Sequence, residues 1–487
     1  MSEVNPDDQS IIDHIDDVVD LYKGVGRDNA KSGLEVELSF FDPNTDTLDA
    51  MSLAQNRVLK HCAMGALPDH DWVHNEPTSE LLEVATTAAS FDQMQTVLDD
   101  ANTKIKILHE KAQGLGLKRS YFQELPDKTA DDLLSRIVEV DRYQIMYAPY
   151  REDMYKCVQY FAVCKSNQVS VSPYTTDHML ENVRRLYTLA PFLFLLTDNS
   201  SAFSEGKPFN GHIGMALRHQ GLLEGRGGVP PYVFTAKTGE EFIRDHINHA
   251  MNNPLFMYYD LDGTLNKVPS GDWSVTFNTL RERGLNTASN YNLGQSILWP
   301  DVKIAALRDE HGKTYAHRYE ARMFGVGIHQ HQTGYIITSA LAFNDKFAQD
   351  VDDLLARYGF SSENLEESYQ LLLKSYAAAR NHNGAFFDIQ YGNGSMAEFA
   401  KEFADLLENV TDEAGVLDAA QPALHICRTG CTDGKVNRLL FKTLDDIKTF
   451  QRTYDMEVFD NPNMCARMAF EQNMATSPAS LFDAHCT

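Results

Sequence analysis

The sequence predicts an α+β fold in which helices pack against an antiparallel β-sheet. Several short segments alternate apolar and polar residues, as half-buried strands do. Long, irregular connections separate these segments, which argues against a doubly wound parallel sheet with regular crossover helices. Amphipathic helical patterns dominate the last third of the chain. We therefore expect residues 1–345 to contain the sheet and residues 346–487 to form a helical region packed on it, within one continuous domain.

The expected elements follow from these patterns in chain order. A helix is expected at about residues 10–22. The expected strands are GLEVELSFF (33–41), SELLEVAT (79–86), RYQIMYAPY (142–150), CVQYFAVCKSNQVSVS (157–172), FMYYDL (256–261) and HRYEARMF (317–324). The expected helices are one that ends at about residue 113, TTDHMLENVRRLYTLAPFLFLL (175–196), and three amphipathic segments near 346–357, 363–380 and 395–409.

Composition excludes several classes of partner. A chain of 487 residues with 43% hydrophobic content can bury a large core. Its formal charge of −26 would repel a phosphate backbone, and no Lys/Arg stripe offsets that charge, so we expect no nucleic-acid partner. The polar, acidic N-terminus does not resemble a signal peptide, and the longest apolar stretch, at 190–197, is too short for a bilayer. We expect a cytoplasmic protein without a membrane partner.

The cysteines and one histidine pair raise the question of a transition-metal site. The chain has seven cysteines and no recognisable export signal, so we expect these cysteines to be reduced thiols. Cys427 and Cys431 are the only close pair, and the two further ligands of a structural zinc site are missing. His329 and His331 are expected to share a strand face, where they could bind a metal. The sequence does not decide whether either pair does so.

Acidic residues in the first strand indicate a different kind of metal site. Glu35 and Glu37 share the strand face opposite to the apolar residues. Two glutamates at i and i+2 project about 7 Å apart, and a third carboxylate from a neighbouring strand would complete a cage for a hard divalent cation. Glu83 or Glu80 in the next acidic strand can supply that carboxylate. A solvated strand face would show the same alternation, so this pattern alone does not decide.

A second strand combines a carboxylate with a guanidinium. In HRYEARMF, Glu320 and Arg322 share one face, which places a metal ligand beside a group that binds phosphate through a planar fork. The alternative is an exposed ion pair, which contributes little to stability.

A turn-rich loop adds further candidates for anion binding. The segment NSSAFSEGKPFNG (199–211) contains Asn199 and Lys207, and Arg218 and Arg226 follow it. Such a loop can hold phosphate or carboxylate groups by point charge and by fork. An ordinary surface loop is the alternative interpretation.

Taken in order, these segments resemble the glutamate–cysteine ligase family, especially its plant and alphaproteobacterial branch. GLEVELSFF is similar to the opening strand GxExEKFG, and NEPTSELLEVAT is similar to EPGGQxELS. The segment 142–172 resembles the stretch from an RY segment to a QVN strand. MLENVRRLYTLAPFLFLLTDNSSAFSEGKPFNG resembles a helix followed by ANSPFxEGKPNG, and HRYEARMF resembles RYLEMRGAD. The resemblance covers roughly residues 30–345.

The resemblance implies a fold, a reaction and a set of roles. The implied fold is glutamine-synthetase-like, with a curved antiparallel sheet that forms a funnel and helices outside it. The implied reaction is the ATP-dependent joining of glutamate to cysteine through an acyl phosphate, the first step of glutathione synthesis, with two or three Mg²⁺ ions. Arg322 would act on the transferring phosphoryl group. The implied metal ligands are Glu35, Glu37, Glu83 and Glu320. The implied ATP- and substrate-binding residues are Gln168, Ser170, Arg184, Asn199, Lys207, Arg218 and Arg226.

Departures from the family motifs leave the amine substrate open. Ser170 stands where the family has Asn or His, Phe209 interrupts GKPNG, and MFGVG replaces RGAD. A related ligase that joins glutamate or another acid to a different amine is one alternative. A relative that binds nucleotide without turnover is another. The oligomeric state is not indicated.

One motif suggests an unrelated chemistry. DLDGT at 260–264 resembles the nucleophile loop of haloacid-dehalogenase phosphatases, in which Asp260 would be the nucleophile. That loop must follow a parallel strand, and the downstream lysine and acidic pair are not at the expected spacing. The pattern is equally typical of an ordinary turn, because Asp and Gly favour turn conformations.

Overall fold

The structure is a computed structural model that describes residues 9–68, 71–147, 162–221, 225–269, 271–308, 314–459 and 461–473. It confirms the α+β class. The strands are β1 (Ser32–Phe41), β2 (Val73–Asn75), β3 (Leu81–Ala85), β4 (Lys118–Arg119), β5 (Asn167–Val171), β6 (Phe203–Ser204), β7 (Lys207–Pro208), β8 (Met257–Tyr259), β9 (Leu265–Lys267), β10 (Val302–Arg308), β11 (Thr314–Phe324), β12 (Gln390–Tyr391) and β13 (Gly394–Ser395).

Seven of these strands form one curled antiparallel sheet with helices outside it. The strand order is β10-β11-β5-β1-β3-β2, and β4 pairs with the end of β1. The remaining six described strands form three small antiparallel hairpins. The predicted antiparallel arrangement is therefore confirmed.

Helices make up most of the rest of the described chain. They are Asp16–Val19, Leu53–Met64, Met94–Gly114, Ala130–Leu134, Asp141–Tyr147, Thr176–Leu196, Ile213–Gly221, Gly239–Asn252, Phe277–Arg281, Ala288–Ser296, Gln330–Phe343, Asp345–Arg357, Leu365–Arg380, Met396–Glu413, Leu417–Thr429, Asp433–Leu440, Leu444–Thr453, Met456–Phe459 and Ala466–Asn473. Short 3₁₀ turns lie at Asp20–Tyr22, Arg27–Asn29, Phe91–Gln93 and Pro231–Phe234. In the described part of the chain, none of these helices has the length and apolar character that a membrane span requires.

The sheet has two chemically different faces because side chains alternate along each strand. In β1, Leu34, Val36 and Leu38 are buried in the main hydrophobic core. Glu35 and Glu37 project from the opposite face, which we call the polar face. Register fixes the neighbours of these glutamates, since a slip of one residue would exchange the two faces.

Helices cover the apolar face of the sheet. The helix Thr176–Leu196 begins at an N-cap, where the Thr175 hydroxyl accepts a hydrogen bond from the amide of His178, and nearly all of its later residues are buried. The same hydrophobic core contains Leu82 of the sheet and Leu424 of the C-terminal helices. This continuity is consistent with a single domain, and the boundary at residue 345 stays a prediction.

Two strand predictions need correction. The segment expected as a strand at 142–150 begins as a helix, Asp141–Tyr147. The long strand expected at 157–172 is reduced to β5. Residues 148–161 lie outside the described part of the chain. Both errors have one physical cause, because aromatic and β-branched residues favour strands only weakly and tertiary packing overrides that preference.

The N-terminal helix and the histidine pair also differ from the prediction. The helix expected at 10–22 is a single turn, Asp16–Val19, followed by a 3₁₀ turn. His329 and His331 do not share a strand face, because the helix Gln330–Phe343 begins there.

The DLDGT segment is a hairpin turn between β8 and β9. The two strands are antiparallel, the amide of Asp260 donates to the carbonyl of Thr264 at 3.0 Å, and Gly263 has a φ of +81°. Glycine is suited to that backbone conformation because it lacks a Cβ. The prediction of an ordinary turn is confirmed, and the parallel strand that a phosphatase loop requires is not present at this segment.

Two buried histidines, one on β11 and one on the helix Gly239–Asn252, lie at contacts between elements. His317 stacks on Tyr22, with ring centroids 3.6 Å apart, and its Nδ1 lies 3.1 Å from the carbonyl oxygen of Leu21. His246 lies 3.2 Å from the side-chain amide of Gln295. Burial lowers the pKa of each imidazole to about 3, so both are neutral in the folded protein.

We expect His317→Phe to reduce the acid sensitivity of the fold. The imidazole of His317 has a pKa near 3 in the folded protein and near 6.5 in the unfolded protein. Its contribution to the free energy of unfolding is therefore complete above pH 6.5 and is lost as the pH falls. Between about pH 7.5 and about pH 5, this loss is about 2 kcal/mol for one histidine. Phenylalanine keeps the stacking surface but does not titrate. Urea unfolding of both proteins at the two pH values measures the difference, and an identical pH dependence would contradict this assignment.

Candidate active site

Three carboxylates meet at one end of the polar face. Antiparallel register places Glu37 of β1 opposite Glu83 of β3, and Glu83 opposite His74 of β2. Glu76 follows β2 by one residue. One carboxylate oxygen from each of Glu37, Glu76 and Glu83 lies within 4.8 Å of the others, and all three residues are buried. We call these three residues the carboxylate trio.

Burial and the charge of a neighbouring glutamate dominate the electrostatics of Glu37. The pKa of Glu37 is raised to about 7, first by burial and then by the charge of Glu83. The carboxylate of Glu37 accepts hydrogen bonds of 2.7 Å from the amide of Ser166 and from the side chain of Gln168. These bonds fix its orientation. Ionising three buried carboxylates so close together is unfavourable, and a bound cation would reduce that cost.

The donor set of the trio fits a hard divalent cation. Carboxylate oxygens are the ligands that Mg²⁺ and Ca²⁺ prefer. The three oxygens lie within 4.8 Å of one another, so one cation could contact all three after small side-chain shifts. Glu80, the alternative third ligand, lies outside the trio. Its carboxylate accepts a hydrogen bond from the Thr78 hydroxyl at 2.5 Å, and burial raises its pKa to about 7.

Glu35 and Gln168 occupy the centre of the polar face. They are directly opposite each other in the pairing of β1 with β5, and Ser170 is opposite Glu320 in the pairing of β5 with β11. Arg318 connects these two pairs, because its guanidinium lies 3.5 Å from Glu35 and 3.3 Å from Glu320. Burial, followed by the charges of neighbouring glutamates, raises the pKa of Glu35 to about 8.

Arg322 lies beside Glu320 on the same face of β11. Its Nε is 3.5 Å from a carboxylate oxygen of Glu320, and the residue is only 4% exposed. Although burial favours the neutral acid, the charges of Arg322 and Arg318 lower the pKa of Glu320. The Nη1 of Arg322 has no hydrogen-bond partner among the described residues. A buried guanidinium with an unused donor has the chemistry to bind an anion.

Arg218 is the predicted loop-region arginine that the fold brings next to this group. Its Nη1 donates to the carbonyl of Arg322 at 3.0 Å and lies 3.2 Å from the carboxylate of Asp301. Arg218 therefore stabilises the backbone conformation at the end of β11 and adds positive charge near the polar face.

Two other predicted arginines lie elsewhere. Arg184 donates to the carbonyls of Val233 and Ala236 and lines a groove of about 640 Å³ between helices. Arg226 donates to the carbonyl of Ile297 at 3.0 Å and is buried. These hydrogen bonds of Arg184 and Arg226 are with backbone carbonyls of residues outside the carboxylate trio. Their assignment to substrate binding stays a prediction.

The two remaining predicted loop residues are also separate from the polar face. Asn199 is fully buried, donates to the carbonyl of Tyr121 at 2.7 Å and accepts a bond of 2.9 Å from Asn437. A Cβ on Gly327 would lie 2.5 Å from the amide of Asn199, so the MFGVG segment passes close to it. Lys207 is exposed on β7.

Neither the histidine pair nor the cysteine pair belongs to a cluster of three or more metal-ligand side chains among the described residues. The Nε2 of His329 is 3.3 Å from Asp433, and the Nε2 of His331 is 2.9 Å from the side chain of Asn102. The two histidines thus have different partners. In the part of the chain that the structure describes, the carboxylate trio is the one group of three or more acidic, histidine or cysteine residues close enough to share a metal.

The cysteines of CRTGC are in different states. Cys427 is a free, buried thiol, whereas Cys431 takes part in a disulfide bond. The expectation that every thiol is reduced is therefore wrong for Cys431.

Three residues of the polar face were not predicted from the sequence. Glu76 lies in the irregular chain between β2 and β3, where strand alternation gives no signal. Arg318 precedes Glu320 by two residues, so the same alternation that identified Glu320 and Arg322 could have identified it. Lys303 lies opposite Glu320 on β10, a strand that the sequence patterns did not identify.

Comparison with known proteins supports the fold. No protein-family model and no curated protein matches the sequence. A glutamate–cysteine ligase from Francisella tularensis, solved in complex with AMP, matches the structure with a TM-score of 0.51 and 10% identity, over 95% of this chain and 97% of that one. A bifunctional glutathione synthetase from Pasteurella multocida matches with a TM-score of 0.41 and 11% identity, over 93% of this chain and 52% of that one.

The ligase PafA, in its complex with the ubiquitin-like protein Pup, matches with a TM-score of 0.29 and 10% identity, over 94% of this chain and 80% of that one. The second and third TM-scores are below 0.5, so the fold assignment depends on the first likeness. At 10% identity that likeness shows a glutamate–cysteine-ligase-like fold and does not extend to activity.

We expect Glu76→Gln to weaken binding of a divalent cation by on the order of tenfold or more, because it removes one of three ligand charges. Manganese binding to the full chain, followed by paramagnetic resonance at fixed pH, measures this effect. Glu80→Gln is the matched control, since Glu80 is also a buried glutamate but lies outside the trio. Equal affinities of the Glu76 variant and the wild type would rule out the trio as the cation site.

Proposed function

We propose that this chain is an ATP-dependent carboxylate–amine ligase whose reaction takes place on the polar face of the sheet. One observation carries this proposal: a buried trio of carboxylates shares the face with Arg322, a buried guanidinium with an unused donor. The first group suits a metal and the second suits a phosphate. The full-length likeness to a glutamate–cysteine ligase solved with AMP supports the proposal, since AMP contains the nucleoside part of ATP.

In this proposal the acidic end of the face holds the metal-bound nucleotide. Glu37, Glu76 and Glu83 would hold Mg²⁺, with Glu35 and Glu320 as the further predicted ligands. Two or three bound Mg²⁺ ions would neutralise the charge of the phosphates, because catalysis of phosphoryl transfer is mostly positioning and electrostatics.

The first chemical step is activation of the acid. An oxygen of the substrate carboxylate attacks the terminal phosphorus of ATP, the bond to the bridging oxygen breaks, and ADP leaves with the electron pair. Negative charge develops on the transferring phosphoryl group. Arg322 would stabilise that charge. Its side chain lies beside Glu320, and its backbone carbonyl accepts a hydrogen bond from Arg218.

The second step forms the amide. The amine nitrogen attacks the carbonyl carbon of the acyl phosphate, inorganic phosphate leaves, and the nitrogen loses its proton. Gln168 and Ser170 project from β5 between the two charged ends of the face, and we propose that they position the substrates. Burial of the surrounding residues would protect the acyl phosphate from hydrolysis.

Within this class, we propose glutamate as the acid and cysteine as the amine. The support is the ordered set of motifs that resembles the glutamate–cysteine ligase family. The alternative is a different amine, because Ser170 departs from the family motif within the polar face. Residues 1–345 would contain the catalytic region, and residues 346–487 would pack on it.

We expect ATP consumption by the full chain to require both an acid and an amine. With glutamate fixed, ADP release should be highest with cysteine among a panel of primary amines. A higher rate with another amine would show that the chain is instead a related ligase with a different amine substrate. Absence of turnover with every pair of acid and amine, together with nucleotide binding, would overturn the ligase proposal in favour of a non-catalytic relative.

We expect Arg322→Lys to lower the turnover number by roughly a hundredfold or more while changing ATP affinity much less. Lysine keeps the positive charge but lacks the planar fork of the guanidinium. Hydrogen bonds to charge that develops in the transition state typically lower the activation free energy by on the order of 3 kcal/mol. Single-turnover kinetics and a separate nucleotide-binding measurement distinguish the two effects.

Arg27→Lys is the control for Arg322→Lys, because Arg27 forms an exposed ion pair with Asp345 far along the chain. It should retain normal turnover. An unchanged chemical step with much weaker ATP binding in Arg322→Lys would instead assign Arg322 to ground-state nucleotide binding.

A further inference from the structure

Arg318 places a positive charge between two of the predicted metal ligands. Its Nη2 lies 3.5 Å from Oε1 of Glu35 on β1 and 3.3 Å from Oε2 of Glu320 on its own strand. Although burial disfavours the charged guanidinium, the charges of these two glutamates raise the pKa of Arg318. The guanidinium is therefore charged, and it lies between the two carboxylates that a shared metal ion would need.

Two further contacts hold Arg318 in this position. Its Nε donates to the hydroxyl of Ser170 on β5 at 2.8 Å, and its Nη1 donates to the carbonyl of Ala306 on β10 at 3.2 Å. All three guanidinium nitrogens thus contact neighbouring strands. In the motif RYLEMRGAD, which HRYEARMF resembles, a tyrosine stands at the position of Arg318. This fixed charge therefore distinguishes the chain from the motif.

The carboxylate trio differs from the pair of Glu35 and Glu320. The two hydrogen bonds that orient Glu37 come from a backbone amide and from the side chain of Gln168, which are both uncharged. Within the described ranges, neither Glu35 nor Glu320 belongs to a group of three or more ligands close enough to share a metal. The trio thus offers three oxygens to one cation, whereas the pair offers its oxygens beside a guanidinium.

A divalent ion bound to either member of this pair would be repelled by Arg318. If it bound the carboxylate oxygen nearest to the guanidinium, it would lie within about 6 Å of Nη2. Solvent screens this repulsion incompletely, because the Arg318 side chain is 20% exposed and that of Glu320 is 5% exposed. Arg318 therefore weakens the binding of a second cation at this end of the face.

We propose that Arg318 is a resident cation that limits the nucleotide-free polar face to one tightly bound divalent cation, at the carboxylate trio. The inference deepens the proposed ligase function and rests on it for one consequence. Further Mg²⁺ ions would enter only with the phosphates of ATP, whose negative charge offsets the repulsion from Arg318. Glu35 and Glu320 would then be metal ligands only when nucleotide is bound.

Manganese binding to the nucleotide-free full chain tests this inference without turnover. Titration followed by paramagnetic resonance should show one tightly bound Mn²⁺ per chain in the wild type. Arg318→Gln should bind a second Mn²⁺ about tenfold or more tightly than the wild type does, because the repelling charge is absent. Arg318→Lys keeps the charge and should retain a single tight site.

Two further variants show whether the effect depends on the position of Arg318. Lys303→Gln also removes a positive charge opposite Glu320, but the Lys303 ammonium donates to the carbonyl of Ser296 on the preceding helix. This variant should keep a single tight site. Adding Glu320→Gln to Arg318→Gln should remove the second site, because it deletes one of that site's two carboxylates.

The outcomes separate this inference from the ligase proposal. Any count other than one tight Mn²⁺ in the nucleotide-free wild type would overturn the inference, and that result requires no variant to fold. No gain in Arg318→Gln, or an equal gain in Lys303→Gln, would also overturn it. The expected counts in a protein that consumes no ATP would support the resident cation and contradict the ligase function. Two tight Mn²⁺ ions in an active, nucleotide-free ligase would do the reverse.

Discussion

The structure depends on the two-residue alternation of β1. Leu34, Val36 and Leu38 are buried in the core, and this burial fixes the register of β1 against both neighbouring strands. The same register places Glu37 opposite Glu83 and Glu35 opposite Gln168. Hydrophobic burial therefore positions the carboxylates, which could not hold each other in place because like charges repel.

Charge is separated along the polar face, and this separation gives the face its chemistry. The trio end concentrates buried carboxylates, and the pKa of Glu37 is raised to about 7 because its ionised form is unfavourable there. At the other end, Arg318 and Arg322 keep Glu320 ionised. A bound cation would reduce the repulsion among the carboxylates of the trio, so cation binding should stabilise the fold.

The sequence predicted the residues of the site that lie on regular strands. Glu35, Glu37 and Glu320 were identified because strand alternation places their side chains on one face whatever the rest of the fold does. Glu83 was identified only as one of two alternatives. Glu76 was missed, because its position depends on how an irregular segment returns beside β2. No pattern within one sequence encodes that path.

The predictions for the loop regions said less about side-chain positions, because these positions also depend on contacts between distant parts of the chain. A motif places Asn199 in the chain, but the orientation of a buried polar side chain depends on its tertiary partners. Asn199 connects Tyr121 to Asn437, residues that are distant in sequence. The antiparallel class, in contrast, followed from the irregular connections between strands, which are a local property.

The central claim is that a carboxylate attacks ATP on the polar face, and isotope transfer tests it most directly. Glutamate labelled with oxygen-18 in its side-chain carboxylate would be turned over with ATP and the amine, and the phosphate released would be examined by mass spectrometry. An acyl phosphate requires that one labelled oxygen move from the carboxylate to each phosphate. Release of unlabelled phosphate together with amide formation would contradict this account.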